Sequence, residues 1–155
     1  MTIEAALRRE RLKALSLPEP ASVPSGTSLR ETLGAMRAAG SGAVLVSRGG
    51  RVAGIFTERD VLNKLFPGPV DEGQPVDGFM TSSPEALTLD ATLAETVRLM
   101  TEHGYRNIPL VDAQGRIAGM VAARDIVQYI AEHFPTEVAN MAPSHEQDFK
   151  TSEGA

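Results

Sequence analysis

The 155-residue chain contains no cysteine and no tryptophan. Without thiols there is no disulfide, no thiol nucleophile and no thiolate metal site. That absence is neutral about compartment, though it suits a reducing cytosol. Histidine is scarce as well. His103, His133 and His145 lie in separate segments, which suggests no zinc triad and reads as solvated helix ends. Long apolar runs are also missing: Ala43-Val44-Leu45-Val46 is far too short to cross a bilayer. Charges stand near the N-terminus, where a signal peptide would be apolar. Nor is there a basic cluster beyond Arg8-Arg9 plus Arg11, and the net charge is −5. Binding a phosphate backbone needs concentrated Lys and Arg, so nucleic acid is not an expected partner. The expectation is a soluble cytoplasmic protein with neither a membrane nor a nucleic-acid role.

What is present is a sentence said twice. Gly54-Ile55-Phe56-Thr57-Glu58-Arg59-Asp60-Val61-Leu62 recurs as Gly119-Met120-Val121-Ala122-Ala123-Arg124-Asp125-Ile126-Val127, 65 residues later. Upstream, Leu29, Leu33, Met36 and Gly40 recur as Leu93, Val97, Met100 and Gly104, 64 residues later. Self-similarity at this period indicates two copies of one small unit. The copies differ at a telling place, Thr57 against Ala122. Hydrophobic residues make up 42% of the chain and charged residues 23%, a globular balance with enough length to bury a core.

The periodicity predicts an N-terminal helix over 2–15, with Ile3, Leu7, Ala14 and Leu15 on one side. Leu17-Pro18-Glu19-Pro20 breaks it, because proline disfavours helix at and before itself. In unit one, Leu29, Leu33 and Met36 form an apolar helical stripe that ends at Gly40-Ser41-Gly42. A buried strand over 43–46, a hairpin turn at 48–51 and a return strand over 52–56 follow. A second helix then starts near Thr57, with Val61, Leu62 and Leu65 inward. Residues 67–75 are a Pro/Gly-rich linker. Unit two repeats the order: helix from Thr92, strand 108–111, turn 112–115, strand 116–121, helix 124–134. The polar residues 142–155 have a disordered composition. Each unit reads as β-α-β-β-α. One copy alone buries too little surface to be comfortable, so the copies should pack sheet to sheet as one module.

The segment Thr57-Glu58-Arg59-Asp60 carries the chemistry, and two readings of it stand side by side. Thr-x-x-Asp at a strand-to-helix junction is a plausible capping box. The same junction offers free N–H donors and a positive dipole end to phosphate. Thr57 can then donate to a ligand oxygen, Asp60 can accept from vicinal ribose hydroxyls, and Arg59 supplies countercharge. Glu58 reads as merely solvated. Gly40-Ser41-Gly42 lacks the third glycine of a dinucleotide fingerprint and precedes a strand rather than a helix. No serine has a recognisable base partner, so the chain does not read as an enzyme.

The Gly-hydrophobic-x-Thr-x-x-Asp pattern after a hairpin, occurring twice and accompanied by His103-Gly104-Tyr105-Arg106-Asn107-Ile108-Pro109-Leu110-Val111-Asp112, resembles a tandem CBS-domain pair, or Bateman module. The resemblance spans roughly residues 12–134. It implies an α/β (α+β) fold of two β-α-β-β-α CBS repeats packed sheet to sheet about a pseudo-two-fold axis. The divisions are 1–15 (helical segment), 16–66 (first repeat), 67–75 (linker), 76–134 (second repeat) and 135–155 (tail). It also implies an adenosine-containing ligand (AMP, ADP or ATP, with S-adenosylmethionine or NAD as other members of the class), no required cofactor, a homodimer and a regulated partner protein. Segment 2–15 and His133-Phe134-Pro135 are candidate extra dimer contacts.

Carried over by position, the primary cleft comprises Ile55, Thr57, Arg59 and Asp60 facing Thr81, Ala86, Tyr105, Arg106, Asn107, Ile108 and Pro109. Asp60 takes the ribose, Thr57 and Arg59 the phosphate end, and backbone near Ala86 and Arg106 the adenine edge. A second cleft pairs Met120, Arg124 and Asp125 with Ser22, Ser41, Gly42, Ala43 and Val44. Ala122 offers no hydroxyl there. Losing one hydrogen bond to a charged group costs roughly 1.5–3 kcal/mol, or about 10- to 150-fold in affinity. The second cleft is therefore expected to be weak or empty.

Overall fold

The computed structural model describes residues 1–66 and 68–136; the stretch 142–155, expected to be disordered, lies outside them. Helix α1 (Ile3–Arg9) opens on the Thr2 hydroxyl, which accepts from Ala5 N at 3.0 Å. The helix predicted over 2–15 ends early: Glu10 and Arg11 are extended and Leu12–Ala14 form a 3-10 turn. Competition for backbone groups is the cause. Leu12 N donates to Ala91 O, Lys13 N to Leu89 O and Leu93 N to Glu10 O, each at 2.9 Å. These pairings carry Leu12 to full burial. Burying a leucine contributes about 1.5–3 kcal/mol, against helix-propensity differences below about 1 kcal/mol per residue.

The first copy contains β1 (Ser22–Pro24), α2 (Leu29–Ala39), β2 (Ala43–Arg48), β3 (Arg51–Thr57) and α3 (Glu58–Asp60), which runs on as a π turn, Val61–Leu65. The wider π turn alters which residues face inward. Val61 and Leu65 pack on the core, whereas Leu62, expected inward, is 63% exposed. The second copy supplies β4 (Thr81–Ser82), α4 (Leu93–His103), β5 (Asn107–Val111), β6 (Ile117–Ala122) and α5 (Ala123–His133). Helices α2 and α4 have hydroxyl N-caps, Ser28 and Thr92, and both end on a left-handed glycine, Gly40 (φ 60°) and Gly104 (φ 72°).

The first sheet has the order β1-β2-β3-β4, with β1 parallel to β2 and the other pairs antiparallel. Strands β5 and β6 form the second sheet, joined by a parallel bridge from Leu87 to Leu110. Both hairpins are bulged at matching places, Val46/Ser47 and Leu110/Val111. Alternation along β2 and β3 sorts their residues between two layers. Val44, Val46 and Phe56 join Leu29 and Val76 under the helices of the first copy. Ala43, Leu45 and Ile55 face the other way and meet Met120 and Ile117. Buried on both faces, β2 reads as one unbroken apolar run. The sheets pack on each other as expected, and Ile117 N donates to Gly50 O at 3.0 Å near the hairpin tips.

The copies also exchange their leading segments. Leu12 and Leu15 pack into the core of the second copy, while Val76, Phe79 and Met80 pack into that of the first and β4 becomes its edge strand. Asp77 fastens this exchange. It accepts from the Ser25 hydroxyl and from Gly26 N at 2.8 Å, with Arg48 at 3.5 Å. The Ser25 hydrogen bond first, then Gly26 N and the Arg48 charge, hold its carboxyl below the usual value of 3.8. Asp77→Ala is expected to cost about 1.5–3 kcal/mol at pH 7. A depressed folded-state pKa stabilises above the unfolded value and ceases to do so as pH falls through the folded one. Urea unfolding should therefore show a large difference between variant and wild type at pH 7 that shrinks below pH 3.8.

Candidate functional site: the cleft between the repeats

Strand β3 runs directly into α3, which places Thr57 at the helix N-cap with extended backbone (φ −123°, ψ 167°). The capping reading is realised in full. Thr57 N donates to Asp60 Oδ2 at 2.9 Å, the Thr57 hydroxyl to the same oxygen at 3.2 Å, and Asp60 N to Thr57 Oγ1 at 3.4 Å. Asp60 is 7% exposed, and its Oδ1 pairs with Lys64 Nζ at 3.0 Å. Lys64 is held in turn by Phe79 O at 2.7 Å. Arg59 points across to the other copy and donates to Gly104 O, the left-handed end of α4, at 2.9 Å. One donor of its five is used this way.

These residues border a cavity of about 440 Å³. Ile55, Thr57, Arg59 and Asp60 line it from the first copy, Tyr105, Arg106, Asn107 and Pro109 from the second, with Thr81 on β4. Two residues expected with them lie elsewhere. Ile108 is fully buried in the core of the second copy, because side chains alternate along β5 and only Asn107 and Pro109 turn to the cleft. Ala86 is exposed and does not line the cavity; Pro84 and Glu85 take that stretch of wall. Gly42, Glu58, Leu62, Asn63 and Gly104 also line it and were not anticipated. A signal was available for Leu62 and Asn63, which follow the motif by less than one turn.

At the rim, Tyr105 OH donates to Glu85 Oε1 at 3.1 Å and its ring stacks on His103 at 5.1 Å. His103 Nε2 lies 3.7 Å from the same Glu85 oxygen. Desolvation, with the Glu85 hydrogen bond and charge, pushes the Tyr105 hydroxyl up from 10.0. His133, exposed at the end of α5 as expected, also stacks on Tyr129 at 4.1 Å.

The second motif is arranged differently. Ala122 N donates to Asp125 Oδ2 at 2.7 Å, but Ala122 has no hydroxyl to accept from the helix, so only half of the box is present at α5. Arg124 mirrors Arg59, donating to Gly40 O at the end of α2 at 3.3 Å. Of the other residues expected in this second cleft, Gly42 lines the first cavity instead. The side chains of Ala43 and Val44 are in the core because β2 is buried on both faces, and Met120 on β6 packs against Ala43 across the seam. Ser41 bonds its hydroxyl to Ala43 O at 2.9 Å, and Ser22 is exposed on β1.

The CBS-domain family model matches residues 12–67 and 76–132, most of the chain. The chain belongs to the CBS-domain family. Among its relatives is the inosine-5′-monophosphate dehydrogenase of Aquifex aeolicus, 32% identical over 115 residues that make up 70% of this chain and 22% of the dehydrogenase. The chain spans from about a fifth to about half of the length of the first curated relatives it matches. The cytosolic domain of the Mg2+ channel MgtE, solved in complex with ATP, is 25% identical, with a TM-score of 0.65 over 81% of this chain and 52% of that one. A CBS domain protein from Pyrobaculum aerophilum, solved with AMP, is 21% identical, with a TM-score of 0.70 over 79% of this chain and 98% of that one. The arrangement is thus a tandem CBS pair. No helix among the described residues is long and apolar enough to cross a membrane.

Proposed function

We propose that this CBS pair is a non-catalytic cytoplasmic sensor of an adenosine-containing nucleotide, of the AMP, ADP or ATP class, bound in the cleft at Thr57 and Asp60. The observation that carries this reading is the cavity itself, whose walls unite the motif of one repeat with Tyr105, Arg106, Asn107 and Pro109 of the other. The ATP and AMP complexes of structurally similar proteins support it. Asp60 accepts the ribose hydroxyls; Thr57 and Arg59 face the phosphate. Backbone at Glu85 and Arg106 reads the adenine edge, and Ile55 and Pro109 enclose the ring. The Asp125 cleft, lacking a hydroxyl at Ala122, is weak or empty.

The response is a population shift. Ligand phosphate competes with Gly104 O for Arg59, and so alters the tie between α3 and α4 that a partner protein reads. Leu62 and Val127 occupy the same place in the two copies and are each 63% exposed, which supports a homodimer built through these helices. Sedimentation of the wild type at micromolar concentration is expected to give a dimer, and a monomer would remove that element.

Ligand binding itself is tested by melting. A true ligand at 100 times its dissociation constant should add about 2.7 kcal/mol. One observation favours a second reading, a ligand-free scaffold: Thr57, Asp60 and Arg59 all have protein partners already. No melting shift with AMP, ADP, ATP, NAD or S-adenosylmethionine would decide for the scaffold.

A further inference from the structure

Lys64 does not border the cleft, yet it grips the buried acid that does. Asp60 is held at both carboxylate oxygens. Oδ2 accepts from Thr57 N at 2.9 Å and from the Thr57 hydroxyl at 3.2 Å, and Oδ1 pairs with Lys64 Nζ at 3.0 Å. A carboxylate held by one oxygen can pivot about it; a cation on the other oxygen fixes its plane. Hydrogen bonds weaken steeply as they bend, so that plane decides how well the acid meets a hydroxyl. Lys64 is itself anchored. Its ammonium donates to Phe79 O at 2.7 Å, on the segment of the second copy that packs into the core of the first. That segment runs on into Thr81, another residue of the cleft wall.

The second motif has no counterpart. Tyr129, 65 residues after Lys64, packs in the core, and the Asp125 carboxylate accepts only from Ala122 N among the described residues. The backbone differs as well. Lys64 lies in the π turn Val61–Leu65, whereas α5 is a regular helix through Tyr129. Turns of this kind recur at functional sites.

We propose that Lys64 is a positioning residue of the cleft, setting the plane of the Asp60 carboxylate from behind the wall so that the acid meets the ribose hydroxyls. The inference rests on the adenosine-binding reading above and adds the residue that makes its ribose contact directional. Groups that bind a ligand have to be held within about 0.5 Å by the contacts that support them, and Lys64 supplies that support. Its side chain is 40% exposed, so its removal leaves the fold standing.

The test is titration calorimetry with AMP and with its 2′,3′-dideoxy analogue, on the wild type, Lys64→Met and Lys64→Arg. Methionine keeps an unbranched stem and removes the cation; arginine restores it. The wild type is expected to bind AMP about 10- to 150-fold more tightly than the analogue, the worth of a hydrogen bond to a charged group. Lys64→Met should lower that ratio about three- to tenfold while the affinity for the analogue moves by less than about twofold, and Lys64→Arg should restore the ratio. The ratio is independent of the folded fraction, so a loss of stability alone leaves it where it was. A ratio unchanged in Lys64→Met, or AMP bound more tightly by that variant, overturns the positioning role and leaves adenosine binding intact. A wild type that binds both ligands alike removes the ribose from Asp60, and the role of Lys64 with it. Failure of the wild type to bind either ligand overturns the adenosine reading itself.

Discussion

Asp60→Ala is expected to weaken adenine-nucleotide binding by about 10- to 150-fold, the equivalent of one lost hydrogen bond to a charged group. The effect must be separated from damage to the helix start, because Asp60 also closes the box on Thr57 N at 2.9 Å. Cap loss costs about 0.5–2 kcal/mol of stability. The chain contains its own control. Asp125 closes the equivalent contact on Ala122 N at 2.7 Å, so Asp125→Ala removes a similar cap from the other repeat. Both variants should melt earlier, Asp60→Ala by more because it also loses the Lys64 pair, and only Asp60→Ala should lose binding in titration calorimetry with AMP. Equal losses from both variants would mean that the caps, through stability, govern binding. Unchanged affinity in Asp60→Ala would remove the Thr57/Asp60 cleft as the site.

How much of this was legible in the sequence varies by element. The strand-to-helix junction at Thr57 and the stripes on α2 and α4 follow from local spacing, which the tertiary structure respects. The sheet-to-sheet packing followed from the duplication and from the small surface that a single copy can bury. Residue-level errors came from treating a stretch as a unit: Ile108 was grouped with Asn107 and Pro109, although a period of two turns it to the core. Leu62 was judged by helical spacing, and the π turn at Val61–Leu65 does not keep that spacing. The exchange of leading segments had no local signature. Leu12 sits in a stretch that reads as amphipathic helix, and its fate depends on backbone partners at Leu89 and Ala91, far away in sequence. Glu58 is exposed, as a solvated residue should be, and only the tertiary structure sets its carboxylate over Gly42.

The largest stability effect is expected at the seam between the sheets. Leu45→Ala should cost about 2–5 kcal/mol, the range for emptying a fully buried leucine site. Leu45 is completely buried and its neighbours, Ala43, Ile55, Met120 and Ile117, come from both repeats. The seam is small, so little surrounding material can collapse into the hole. The exchanged segments add a second consequence. Because Leu12 completes one core and Val76 the other, neither repeat keeps a whole core once the seam opens. Unfolding in urea should therefore remain a single transition with a lowered midpoint and an unchanged slope. Two separated transitions in Leu45→Ala would show instead that each repeat folds alone. Ile55 belongs both to this seam and to the wall of the cleft, so a variant that loosens the seam should also weaken AMP binding even where most molecules remain folded.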